Sequence, residues 1–477
     1  MSVRLGPYPK YKDSCVPWLG EVPRHWSQLP GRACYLEKKL PNTGMQEATV
    51  LSLSYGQIVI KPVEKLHGLV PASFETYQVI DPGDIIIRPT DLQNDWNSLR
   101  FGLSRHRGII TSAYMCLNIK GVMTREYGHL LLHAYDLKKV FYGLGSGLRQ
   151  NLDWRDFKYL PCLVPPLPEQ SAIVRFIAHF DRRINRLIRA KRRLIELLNE
   201  QKQAIIHRAV TRGLDPNVHL KPSGIDWIHD VPEHWEIRKV KYVAQLLVSN
   251  VDKISLTDET PIRLCNYNDV YKNEVISEEI GFMVASATKD EITKFRLRNG
   301  DVIITKDSEM WNDIGVPALV AYEAPDLVCG YHLAILRPDA QQMQSEFLLR
   351  CFQDPLLVTQ LHIQANGITR YGLSQHAIKN CLVPVPSVKD QVYICAMLQR
   401  DLAGINTAEV RARREIDLLR EYRTRLIADV VTGKLDVRGV ELPLLEAGEA
   451  VEDLDTGEDA GAEEMTGSEE VADGDEQ

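Results

Sequence analysis

With 477 residues, 44% of them hydrophobic and 25% charged, the chain is long enough for about two to four globular domains. Its formal charge of −7 hides a segregation: Leu442 to Gln477 holds 14 Asp/Glu and no Lys or Arg, leaving 57 basic against 50 acidic residues, or +7, before it. No apolar run nears the roughly 18 residues of a membrane span, and the opening MSVRLGPYPKYK is no signal peptide; nine cysteines without a CxxC pair exclude a disulfide framework and a zinc ribbon, so reduced thiols and a cytoplasmic location are expected.

In chain order the first predicted feature is a turn-rich corner, "DSCVPWLGEVPRHW" from Asp13, where Pro fixes φ and aromatics supply an anchor. It returns 209 residues later as "PSGIDWIHDVPEHW" from Pro222, with Trp18 answering Trp227 and Trp26 answering Trp235. Next comes Gly-Asp followed by a β-branched strand: "PGDIIIR" (Pro82–Arg88) matches "NGDVIIT" (Asn299–Thr305). Tyr114 matches Tyr331 at an offset of 217. The helix-like segments "EYGHLLLHAYDLKKVFYG" and "SEFLLRCFQDPLLVTQL" follow. Each leads through a polar, Gly-containing loop, "GSGLRQNLD" or "ANGITRYGLS", to "CLVPPLPEQ" or "CLVPVPSVKDQ".

From there the offset is a constant 221, pairing Gln170 with Gln391, Ile184-Asn185 with Ile405-Asn406, Leu197-Leu198 with Leu418-Leu419, Glu200 with Glu421 and "TRGLD" with "TGKLD". Loops accept insertions and packed helices do not, so the constant offset predicts two long helices. Ile173, Ile177, Phe180, Ile184, Leu187, Leu194, Leu198 and Ile205 follow the 3–4 spacing of a coiled-coil seam. Ile394, Leu398, Ile405, Leu419, Tyr422 and Leu426 repeat it with a weaker middle. About 40 residues at about 1.5 Å each make a rod near ~60 Å, and an isolated rod leaves its stripe wet, so the two are expected to pair antiparallel. The expected fold is α+β: two pseudo-two-fold-related globular domains, 1–165 and 216–385, separated by long coiled-coil helices at 166–215 and 386–438. An acidic, disordered tail follows from 439 to 477. Because "VPEHW" follows the first helix exit, pseudo-symmetry sets "VPRHW" against the second exit near "TGKLD", which gives a circular organisation.

Catalytic signatures are missing. There is no [DNS]-P-P-[FYW] tetrapeptide for amino methylation and no HExxH, and the 13 histidines show no ligand spacing. "GLGSGLRQ" (Gly143–Gln150) lacks the Gly-Lys-Ser/Thr of a phosphate loop and trails a helix. Glu37-Lys38-Lys39 lacks the preceding acid of a nuclease site, and His25 and His234 read as structural histidines. No catalytic residue and no metal ligand is expected.

The doubled "W…VPxHW" corner, "PPLPEQ" leading into a long helix, and "TRGLD" at its exit resemble the specificity subunit of type I restriction–modification systems, over residues 8 to about 438. The second copy departs from the pattern at "VPSVKDQ". The resemblance implies that each globular domain is a target recognition domain reading half of a split, asymmetric DNA sequence. It implies that the helices fix the gap and dock two modification subunits. Those partners would bind S-adenosylmethionine and methylate adenine N6, and added restriction subunits would use ATP and Mg; this chain itself would carry no cofactor.

A sequence reader needs base-edge donors on loops beside phosphate-neutralising cations. The first half offers Arg88, Thr90, Gln93, Asn94, Asn97, Arg100 and Arg105 directly after a strand, and "SGLRQN" adds Arg149, Gln150 and Asn151. In the second half "TKDSEMWND" offers Lys306, Ser308 and Asn312, and "NGITRYG" offers Asn366, Thr369, Arg370 and Tyr371. Two rival readings stay open: a coiled-coil scaffold that binds only protein, and the recognition subunit of a methylation-only or other phage-defence complex.

Overall fold

The computed structural model describes residues 5–54, 56–62, 73–90, 92, 99–144, 151–225 and 227–442. The chain divides into two compact units, an N-terminal unit of residues 1–190 and 415–477 and a central unit of residues 191–414. Both divisions fall inside long helices, so each unit owns a stretch of each.

Those helices are Leu167–Arg212 and Val388–Val431. Prolines 165 and 166 precede the first, and Ser387 caps the second by accepting the Asp390 N–H at 3.2 Å. Both end at left-handed glycines, Gly213 (φ 71°) and Gly433 (φ 78°), a conformation that costs other residues a Cβ clash. In the N-terminal unit Ile173, Phe176 and Ile177 share a core with Leu426, Ile427, Val430 and Val431. In the central unit Ile206, Ala209 and Val210 share one with Ile394, Leu398, Leu402 and Ile405.

The expected stripe needs correcting in its second half. Leu187 and Leu194 are exposed, and Ile188 and Ile195 are buried in their place. A 3.6-residue helix drifts against a 3.5-residue repeat, so the inward face moves on by one position. In the second helix Tyr422 points outward, and the weak middle is filled by Ala412 and Ile416.

Each unit carries the same four-strand core. In the N-terminal unit its order is Tyr35–Lys38, Met115–Ile119, Ile85–Ile87, Phe101–Leu103, all antiparallel. In the central unit it is Ala244–Val248, Leu333–Pro338, Val302–Thr305, Pro317–Val320, with Val275–Ile276 added in parallel at the edge. The Gly-Asp pair makes the turn before the third strand in each. Asp84 accepts the Asp81 N–H and the Lys38 ammonium; Asp301 accepts the Arg298 N–H and a bidentate Arg337. Lys38 is thus held in a structural ion pair. The second helix-like segment is broken into Ser345–Gln353 and Pro355–His362, because Pro355 cannot donate inside a helix and buried Asp354 caps the new start. Eight of the nine cysteines are buried and Cys15 is exposed, all as free thiols.

Candidate nucleic-acid interface

The repeated sequence words build the frame that carries the loops. In the N-terminal unit Trp26 is 1% exposed, and its indole N–H donates to Glu169 at 2.9 Å while His25 contacts the other carboxylate oxygen at 2.8 Å. A Cβ on Gly433 would meet Pro23 at 2.3 Å and Trp26 at 3.1 Å, so the helix exit is seated directly under the corner. The Asp436 N–H donates to the Gly6 carbonyl at 2.8 Å, and the Tyr11 hydroxyl to the Lys434 carbonyl. In the central unit Trp235 packs over Gly213 in the same manner, with Ile206, Ala209 and Val210.

The repeated glutamine ties each helix start to its sheet domain. Gln170, fully buried, donates to the carbonyls of Pro165 and Val122 and accepts the Thr124 N–H at 2.8 Å. Gln391 donates to Pro386 and Gln342 and accepts the Gln344 N–H at 2.7 Å. An amide suits this position because it donates twice and accepts once with no charge to desolvate.

In the central unit the two candidate loops come together. Leu373 N–H donates to the Lys306 carbonyl at 2.8 Å, and Asp307–Ser308 pairs antiparallel with Tyr371–Gly372. The loop 366–372 is closed by reciprocal backbone hydrogen bonds between Asn366 and Gly372. A Cβ at Gly367 would fall 1.9 Å from the Arg370 carbonyl, so the loop can be this tight only with glycine there. Thr369, Arg370, Asn366 and Asn312 are exposed. Lys306 donates to Asp307 at 2.8 Å, His332 Nδ1 contacts the same carboxylate at 3.0 Å, and Arg370 meets the other ring nitrogen of His332, Nε2, at 3.3 Å. Burial raises the Asp307 carboxyl, but the His332 and Lys306 hydrogen bonds outweigh it and hold it below the usual carboxylate range. Ser308 is a correction: it is 6% exposed, with its hydroxyl turned back onto the Met310 N–H, and it offers nothing to a base edge.

Sequence reasoning missed Asp307, His332 and the stacked Tyr267–Tyr271 pair, whose rings lie 5.5 Å apart. Tyr331, packed on His332 at 3.6 Å, was visible as the partner of Tyr114. Tyr267 and Tyr271 lie outside the matched words of the repeat on which the sequence reading rested.

In the N-terminal unit Leu152 N–H donates to the Pro89 carbonyl at 2.9 Å, the counterpart of the Leu373–Lys306 bond, so Asn151 is brought to the strand exit holding Arg88 and Thr90. Asn151 and Arg105 are exposed; Arg88 and Thr90 are half-buried. Gln93, Asn94, Asn97, Arg149 and Gln150 lie outside the described residues. Arg100 is a second correction. It is 1% exposed, donates to the Thr90 carbonyl at 2.6 Å and lies over the Tyr142 ring, so its guanidinium organises the loop from beneath. Among the described residues no cluster of three or more His, Cys, Asp or Glu side chains is placed to hold a metal, and no helix is long and apolar enough to cross a membrane.

Residues 232–413 match the family model described as type I restriction modification DNA specificity domain. The chain is 22% identical to the type I restriction enzyme MjaVIII specificity subunit of Methanocaldococcus jannaschii over 375 residues, covering 75% of this chain and 82% of that one. It is also 22% identical over 175 residues to the putative MjaX specificity subunit of the same organism, covering 36% and 40%. Among solved structures, a chain described under complex assembly and conformational transition of the type I R-M system aligns with a TM-score of 0.58 and 15% identity, covering 87% of this chain and 99% of that one. The HsdS subunit of Thermoanaerobacter tengcongensis aligns at 0.43 and 16% identity, covering 87% and 98%.

Proposed function

Because residues 232–413 match the type I restriction modification DNA specificity domain and three quarters of the chain is similar to a type I specificity subunit, we propose that the chain is such a subunit and addresses its complex to DNA, each unit reading one half of a bipartite, asymmetric sequence. The observation that carries this is the matched loop pair. In each unit one backbone hydrogen bond, Leu152 to Pro89 or Leu373 to Lys306, joins a polar strand exit to a polar loop. Exposed Asn151 in one unit, and Asn366, Thr369 and Arg370 in the other, are the donors that discriminate bases, worth about 1–3 kcal/mol per well-made pair.

In this reading the long helices set the gap between half-sequences and scaffold two modification subunits. Those partners supply S-adenosylmethionine and transfer its methyl group to adenine N6. Restriction subunits, when present, bring ATP and Mg. The chain adds no cofactor and no catalytic group, and works in the cytoplasm. A circular organisation of the chain is supported by the Gly6–Asp436 bond and by the seat of Trp26 over Gly433.

The test is a methylation map of cells expressing the chain with its modification subunits. Arg370→Ala is expected to relax one half-sequence and Asn151→Ala the other, with the gap unchanged. A variant that altered both halves would refute two independent readers. Absence of any salt-dependent DNA binding would favour a protein-only scaffold.

A further inference from the structure

Away from the reading loops, the N-terminal unit carries a corner where an exposed tyrosine is flanked by two cations, and the central unit has an exposed tyrosine beside one. In the N-terminal unit Tyr159 is 62% exposed; the Arg32 guanidinium carbon lies 5.4 Å and the Lys158 ammonium 4.9 Å from its ring centre. Hydrogen bonds to the main chain close the corner. Arg32 N–H donates to the Lys158 carbonyl at 2.9 Å, and the Lys120 ammonium donates to the Arg32 carbonyl at 2.6 Å. A Cβ on Gly31 would sit 2.4 Å from the Phe157 carbonyl, so the two segments are in backbone contact. Among the described residues no carboxylate forms an ion pair with Arg32, Lys120 or Lys158. Two of these cations recur in the central unit, where Lys241 answers Arg32 at the 209-residue offset and Lys379 answers Lys158 at the 221-residue offset. The tyrosine does not recur in place, since Asn380 answers Tyr159, but the Lys241 ammonium lies 5.0 Å from the ring of its neighbour Tyr242, which is 56% exposed.

Cations without acidic partners repel one another and gain little from folding alone. The recurrence of two of them, Arg32 as Lys241 and Lys158 as Lys379, in two otherwise diverged repeats fits a ligand that is itself an array of negative charge. Arg, Lys and a tyrosine hydroxyl are the donor set that contacts phosphate oxygens, and they carry no sequence information there. We propose that these basic–aromatic corners bind the phosphate backbone of duplex DNA, outside the base-reading loops. This rests on the DNA-addressing role above and adds a sequence-independent holding site to it.

The test uses the full chain and a labelled 40-base-pair duplex of random sequence, with affinity measured by fluorescence anisotropy from about 50 to 200 mM KCl. Removing one phosphate-neutralising cation is expected to flatten the log–log salt dependence by about 0.9. Arg32→Ala/Lys158→Ala should therefore flatten it by roughly 1.8 and weaken binding about tenfold near 100 mM salt. Tyr159→Phe should keep the slope, and the methylated sequence should be the same for all variants. An unchanged slope in the double variant, with circular dichroism showing it folded, overturns the corner as a phosphate site. So does normal DNA binding without co-purification of the modification subunits, which would make it a protein-docking surface. If the wild-type chain itself shows no salt-dependent binding, the DNA-addressing role falls first and the corner with it.

Discussion

Trp26 and Trp235 occupy the same place in the repeated word but are held differently, and this separates hydrogen bonding from burial. Trp26→Phe keeps most of the aromatic contact and deletes the N–H that reaches Glu169 at 2.9 Å. That carboxylate is 5% exposed, and its other oxygen is taken by His25. Losing a hydrogen bond to a buried charged acceptor costs about 1.5–3 kcal/mol. Trp235 is 2% exposed, but among the described residues its N–H meets no acceptor, so Trp235→Phe changes shape alone and should cost under about 1.5 kcal/mol. Truncation to Ala should cost about 3–5 kcal/mol at either site. Urea unfolding followed by far-ultraviolet circular dichroism measures the differences, and a double-mutant cycle with Glu169→Ala, which removes the acceptor, should return about 1.5–3 kcal/mol of coupling for Trp26. Equal costs for the two Phe variants, within about 0.5 kcal/mol, would refute the Glu169 contribution.

Gln391→Ala removes three hydrogen bonds and leaves the Gln344 N–H without its acceptor, so it should cost about 2–4 kcal/mol, read as a lower melting temperature; Gln391→Glu should not rescue it, since a carboxylate cannot donate to Pro386 and Gln342. Burial lowers His129 to about 4 and His133 to about 3, so the unfolded chain binds protons first on acidification. Their stabilisation is intact above about pH 6.5 and should fall by about 2 kcal/mol per histidine by pH 4.5, a loss that His129→Gln/His133→Gln abolishes in urea titrations at the two pH values. Asp307→Asn removes the carboxylate shared by Lys306 and His332 and should change base preference in one half-sequence only, read from the methylation map. The isolated chain should methylate no DNA; adenine methylation by it alone would overturn the proposal that its partners supply the catalysis.

The frame was legible because it is repeated and periodic. The helix expected over 166–215 runs from Leu167 to Arg212, and the Gly-Asp words fall at the turns before Ile85 and Val302. The reading surface was legible as loops but not as side chains. Arg100 and Ser308 have the composition of DNA contacts, yet one lies beneath its loop and the other turns inward. Facing is set by strand register and a tertiary partner such as Tyr142, and neither is encoded in the local sequence. The Leu187 and Leu194 assignments failed for a related reason: helix drift and competing neighbours at Ile188 and Ile195 decide which side is inside.

The placement of the cysteines makes the chain its own reporter. Cys15 is the one exposed thiol, so a maleimide dye at native pH should attach at a single position beside the opening corner. The remaining thiols are divided unevenly: Cys34, Cys116 and Cys162 in the N-terminal unit, and Cys265, Cys329, Cys351, Cys381 and Cys395 in the central unit. Once Cys15 is blocked, opening of the N-terminal unit alone would release three reactive groups and opening of the central unit five. The mass of the alkylated protein would then say which half of the address had come apart.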